Sequence, residues 1–505
     1  MVHEQGVSTL QLRKIFPVAL AAISAFAALS IWAFASPPGS APDDDFHLPA
    51  IWCSHGEVEG LCDPEVPGDG FGKTPTPLSP SAICFAFNSE NSAACQARQF
   101  DWNNKELAGS RTNETGRFPN GFYWTMNLLI GDNTLASAMI MRIFNAFLAV
   151  ALLTITAIYA TPFIRFALLG TWISVVTPLA LFTIPSTNPS SWSIIGLGIY
   201  WAALLSFLQA KEKSHLVVNA ILTFTTGIMA INSRSEASPY LLLVTLIILF
   251  IHAPVRKLIR LDYKYLLPIF IGVIALYEFL TTPSTLGWSS GLQGGDPNRT
   301  RGELWFRNIS QWPRLIDGSV GGWPLGWFDT PMPPMTSFFS FLVLIGFFFI
   351  GLRVTTWPKN ISLILIMGAI FYLPLRILYL GFNFVGEGVQ PRYFLPLLMV
   401  FMGIALLSMN KEAITFSFSQ AFVLFGSLVV AHAFALHYTM RRYITGVSSS
   451  FSGSDKTDWN LDKDVEWWWS FLPNPLTTWA IGSAAFAVAV FYVINYLRKP
   501  IKLSN

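Results

Sequence analysis

The chain has 505 residues, of which 52% are hydrophobic and only 12% charged; soluble proteins carry roughly 25% charge. With a mean hydropathy of +0.48 it is excluded as a water-soluble enzyme and reads as a polytopic membrane protein. Its formal charge of +3 is too small to imply nucleic acid or another polyanion as partner.

A spanning helix needs about 20 mainly apolar residues. That rule predicts an all-α protein of about twelve spans, near 15–35, 134–160, 164–184, 191–209, 216–232, 239–253, 266–281, 336–353, 360–380, 391–409, 415–438 and 475–496. The first run ends in Ala33-Phe34-Ala35, which looks like a signal-peptide cleavage site. It is longer than the 7–15 apolar residues typical of a signal, so it is read as an uncleaved helix.

Basic residues of short connections stay cytoplasmic. Arg13, Lys14, Lys211, Lys213, Arg256, Lys257, Arg260, Lys264, Arg353, Lys359, Lys411, Arg498, Lys499 and Lys502 all fall on one side of the alternating map. Both termini are then cytoplasmic, and residues 497–505 form a short basic tail behind a single transmembrane domain, 1–496. Among the short loops on the other side, Arg234 is the exception.

Three segments on that other side are too long for turns: 36–133, 282–335 and 439–474. The first holds all four cysteines, Cys53, Cys62, Cys84 and Cys95. Confinement to one exported loop predicts two disulfides; of the three possible pairings, the sequence-local 53–62 and 84–95 are favoured. Phe118 to Ile130 is apolar but short, as in an interfacial or re-entrant helix. Tryptophans 467–469, and Trp305, Trp312, Trp323 and Trp327, fit an interfacial belt, with sugar stacking as the functional alternative.

Chemistry-bearing residues gather at the same side. Directly after the first helix come Asp43, Asp44, Asp45 and His47, behind Pro37 and Pro38, which stiffen the exit. A solvated acidic turn is the simplest account; a general base fixed near its substrate is the functional one. Arg142 and Arg376 lie inside predicted spans, where a charge costs roughly 2.5–3.5 kcal/mol on insertion scales. With Arg392, Arg441 and Arg442 they sit in the half of the membrane that basic residues usually avoid. Guanidinium groups suit bidentate phosphate contacts, so the five point to a bound anion.

Pro42-Asp43-Asp44-Asp45-Phe46-His47 resembles the acidic motif in the first extracytoplasmic loop of the GT-C superfamily, multi-pass glycosyltransferases that use polyprenyl-phosphate sugars. Arg142-x-x-Asn145 is similar to the Arg-x-x-Ser/Asn at the start of its second helix, and Gln390-Pro391-Arg392-Tyr393 to its Arg-Tyr segment. The run Ser-Pro-Pro-Gly-x-x-Pro-Asp-Asp-x-x-His resembles a bacterial, largely actinobacterial family of multi-pass proteins regarded as GT-C-like.

The resemblance implies an inverting transferase in the bacterial plasma membrane with its site facing the extracytoplasmic side. Its partners would be a polyprenyl-phosphate sugar donor, membrane lipids, and a cell-envelope glycan or other hydroxyl acceptor. Asp43 would be the base, with Asp44 and His47 orienting it or the acceptor, and Arg142, Arg376, Arg392, Arg441 and Arg442 binding the donor phosphate. No cofactor is required, although a divalent cation is compatible. Competing readings are a polymerase of lipid-linked repeats and a lipid or glycan transporter; the missing internal repeat weakens the transporter.

Overall fold

The computed structural model describes residues 2–63, 70–80, 83–252, 263–283, 294–409, 414–448 and 458–499, without the side chains of 2–14. Of the basic residues used for orientation, Arg256, Lys257, Arg260, Lys411, Lys502 and the side chains of Arg13 and Lys14 lie outside the described residues.

The helices in chain order are α1 (Val2–Phe34), α2 (Asp44–Trp52), α3 (Ala94–Gln99), α4 (Gly121–Asn127), α5 (Thr134–Tyr159), α6 (Pro162–Val175), α7 (Pro178–Thr183), α8 (Ser190–Gln209), α9 (Lys213–Ile231), α10 (Ala237–His252), α11 (Leu266–Thr281), α12 (Arg301–Gln311), α13 (Pro313–Ser319), α14 (Pro334–Gly351), α15 (Trp357–Leu380), α16 (Pro391–Leu406), α17 (Phe418–Ile444) and α18 (Pro475–Arg498). Among the described residues nine are long and apolar enough to cross a membrane. The shorter apolar helices α6, α10 and α16 stand where three further spans were expected, so the count of twelve is not met by length.

Local chemistry sets these ends. Pro162, Pro334, Pro391 and Pro475 occupy first turns, where a missing N–H costs nothing. Asn133 caps α5, and Ser417 with Gln420 forms a capping box on α17. The run expected at 164–184 breaks at Val176-Thr177, because Pro178 disfavours helix in the residue before it; α7 then restarts the helix.

At the centre is α8, almost every residue of which is buried, as expected of a helix apolar on all faces. A Cβ at Gly196 would lie 2.8 Å from Ala230 N and Thr226 O of α9, so glycine lets the two backbones touch. Around this centre, α16 packs on α6 and α8, α1 on α5 and α18, and α17 on α14 and α18.

The segment 36–133 is not an all-helical excursion. Strand β1 (Phe71–Pro75) pairs antiparallel with β2 (Leu107–Arg111), Phe71 opposite Arg111. The intervening chain folds back on itself, closed by Cys84–Cys95, while Cys53–Cys62 closes the turn after α2. The favoured pairing is the one found. The segment 282–335 likewise carries α12 and α13. Arg441 and Arg442, expected in a loop, lie instead in the last turn of α17, where positive charge complements the helix dipole.

Candidate functional site

The turn between α1 and α2 is buried, not solvated: residues 35–41 are all buried. Its carbonyl groups are taken one after another by side chains from distant elements. Arg142 donates to Ser36 O (2.9 Å) and Pro37 O, Gln96 to Pro38 O (3.1 Å), Trp327 Nε1 to Gly39 O (2.8 Å) and Asn188 to Pro42 O (2.7 Å). A proline-rich segment offers few N–H groups but keeps its carbonyls, so this mode of anchoring suits its composition.

Held this way, the three aspartates diverge. Asp43 sits in the left-handed region, φ 62° and ψ 18°, a conformation costing roughly 1–3 kcal/mol outside glycine. It projects toward α16, where Arg392 Nη2 donates to its Oδ2 at 2.5 Å. Asp44 is buried; it accepts from Ala41 N and from Thr187 Oγ1, both at 3.1 Å. Asp45 forms an ion pair with Arg111 on β2 and so ties the folded loop to the membrane-proximal turn.

Electrostatics separates the first two. Burial pushes the Asp43 carboxyl up, but the charges of Arg392 and Arg234 and the Arg392 hydrogen bond outweigh it, leaving its pKa below the ordinary value. Burial dominates at Asp44 and raises its pKa to about 7, against the opposing pull of Arg142. His47 is fully buried and desolvation holds its imidazole well below its ordinary pKa, hence neutral. Its Nδ1 meets Tyr123 Oη at 2.8 Å and its Nε2 has no partner.

A residue outside the expected set completes the cluster. Arg234, between α9 and α10, donates to Glu236 at 2.6 Å and lies over the rings of Phe118 (5.2 Å) and Tyr393 (4.4 Å). Arg392 lies 5.1 Å from the centre of the same Tyr393 ring, which therefore spaces two guanidinium groups beside Asp43. Arg234 Nη1 and Arg392 Nε are buried without hydrogen-bond partners, an arrangement that costs free energy until an acceptor arrives. The sequence signal for Arg234 was its breach of the charge rule.

The other arginines are placed differently. Arg142 spends its donors on Ser36, Pro37 and Pro185. Arg442, wholly buried, bonds Asp329 at 2.8 Å and the carbonyls of Phe85, Asn88, Asn91 and Asp329. Arg441 bonds the carbonyls of Asn460 and Lys463. Arg376 is exposed on the flank of α15. The five do not converge on one anion; Arg392 alone of them reaches Asp43. Of the tryptophans, Trp469 is buried, donates to Phe34 O and packs on that ring. Among the described residues no three His, Cys, Asp or Glu side chains are grouped as a metal ligand set.

Apolar helices in this number, closed over a buried polar cluster at one end, define a multi-pass membrane protein. The chain belongs to the family described as predicted membrane protein (DUF2142), whose profile matches residues 26–402. Asp43, His47, Arg234 and Arg392 lie inside that match; Arg441 and Arg442 lie beyond it. No curated protein and no solved structure matches the chain.

Proposed function

We propose that the protein is an inverting glycosyltransferase of GT-C type, moving a sugar from a polyprenyl-phosphate donor to a hydroxyl acceptor on the extracytoplasmic side of a bacterial plasma membrane. In this reading α6, α10 and α16 also cross, giving twelve spans with both termini cytoplasmic. The observation that carries it is Asp43: a carboxylate whose side chain is 42% exposed, fixed in a strained turn and flanked by two buried guanidinium groups with unused donors.

The donor's phosphodiester accepts from Arg392 Nη2, the donor now given to Asp43, and from the unpartnered Arg234 Nη1. Because the phosphate competes for Arg392, it loosens the Asp43 ion pair, and the Asp43 pKa rises toward that of a free carboxylate. Donor binding thus readies the base. Asp43 takes the acceptor's proton as the acceptor oxygen bonds to the anomeric carbon; the bond from that carbon to the phosphate oxygen breaks, and the electron pair leaves on polyprenyl phosphate. The two arginines stabilise that growing charge. Asp44, too enclosed to meet an acceptor, orients the turn.

Purified protein in liposomes with labelled polyprenyl-phosphate sugars and extracted envelope glycans tests this. Asp43→Asn should lose roughly 10²–10⁴ in rate while still binding donor. Full turnover in Asp43→Asn removes the mechanism, and movement of lipid across the bilayer without a new glycosidic bond replaces it with transport.

A further inference from the structure

Beside Asp43 lies a cleft whose walls include Pro42, Phe182, Trp323, Phe328, Gln390 and Arg392. Two buried donors in its lining lack partners, Trp323 Nε1 and Arg392 Nε. Within the lining Phe328 meets Trp323 edge-on at 6.2 Å, and Trp327, between the lining residues Gly326 and Phe328, has Phe87 5.1 Å away. Phe87 and Phe328 are 75% and 43% exposed. Both, like Asp43, are held at positive φ, 62° and 60°, and strained backbone of this kind gathers at functional sites.

The free volume of the cleft, about 20 Å³, takes a single small polar group. An acyl or prenyl chain there would leave both N–H donors unsatisfied. A hydroxyl oxygen has two lone pairs and answers both donors. The group that combines such a hydroxyl with a flat C–H face for aromatic contact is a sugar ring.

We propose that the mouth of this cleft is a carbohydrate subsite: a ring rests against Phe328 and Trp323, and one of its hydroxyls accepts from Trp323 Nε1 and Arg392 Nε. As the seat of the acceptor sugar it rests on the transferase reading; as a binding site it stands alone.

The test is saturation-transfer NMR on the full chain in a detergent without a sugar head group, with methyl α- and β-glycosides of glucose, galactose, mannose and arabinose as probes. Phe328→Gly removes the ring while relieving its positive φ, and Trp323→Phe keeps the ring but removes the N–H; thermal melts check that both fold. At least one glycoside should show transfer to its ring protons, reduced roughly two- to tenfold in each variant and retained in Asp43→Asn. No transfer to any glycoside, or transfer in both variants equal to that of wild type, overturns the subsite, as does signal confined to an added alkyl alcohol. Binding that persists while no donor supports transfer keeps the subsite and sinks the transferase reading. Transfer with an unchanged acceptor KM in both variants keeps the transferase and sinks the subsite.

Discussion

Asp43 and Arg392, 349 positions apart in sequence, meet at 2.5 Å with unequal commitment: the arginine side chain is 3% exposed and the aspartate 42%. The arginine is enclosed by its surroundings, while the carboxylate it holds reaches the open.

That asymmetry is measurable through ligand-induced stabilisation. In Asp43→Asn the buried guanidinium loses its counter-charge, and the protein should weaken by roughly 1–3 kcal/mol. A short-chain prenyl phosphate should then raise the melting temperature of the variant more than that of wild type, since nothing competes for Arg392. Equal shifts in the two proteins would take Arg392 out of the anion site.

Asp44 predicts a pH dependence of definite sign. Its folded pKa, raised to about 7 from 3.8, means the native state holds a proton that the unfolded state has released. Stability from this group therefore falls as pH climbs from about 4 to 7, by up to ~1.4 kcal/mol per unit. His47, depressed when folded, acts oppositely below about 6.5, and Asp43, also depressed, contributes no slope above about 4. Asp44→Asn mimics the protonated form, so between pH 5 and 8 the variant should gain on wild type as pH rises. Parallel melting curves would show Asp44 already ionised.

Arg442 should matter for assembly. Replacing it by Ala strands Asp329, whose side chain is 3% exposed, and removing one partner of a buried pair costs about 3–5 kcal/mol. Adding Asp329→Asn should recover part of the loss of thermal stability. A defect confined to turnover, with an unchanged melt, would instead return Arg442 to the phosphate site.

Gly302 offers a clean topological probe. A side chain there meets nothing within 4 Å, whereas at Gly295 it would collide with Gly381 O at 2.1 Å. Since all four cysteines are paired, Gly302→Cys supplies a unique thiol; it should react in intact cells with a membrane-impermeant maleimide, and Lys211→Cys only after permeabilisation. The reverse pattern would invert the orientation. Intact mass of the native chain should fall four hydrogens below that of the reduced chain, one pair per disulfide.

Hydropathy located the apolar helices because bilayer-length runs are a sequence-local property. It missed the break at Pro178, since Leu179 to Phe182 are as apolar as the helix before them. The acidic turn and Arg392 were visible as motifs, and the cysteine pairing as spacing. That Arg142 and Arg442 feed backbone carbonyls was not legible: an unpaired carbonyl has no signature, and its donor comes from a segment 43 to 357 residues away. The strands β1 and β2 were equally silent, five residues each without clear alternation.

The carbonyls of Phe85, Asn88 and Asn91 that Arg442 captures belong to a loop made early in synthesis, and their partner is made late. At roughly 5–20 residues per second, the ribosome delivers Arg442 on the order of tens of seconds after Cys95 has emerged. The Arg442 bonds are therefore made only after the loop closed by Cys84–Cys95 has already been synthesised. A chain that ends before α17 leaves these carbonyls and the Asp329 carboxylate without the guanidinium that serves them in the finished fold.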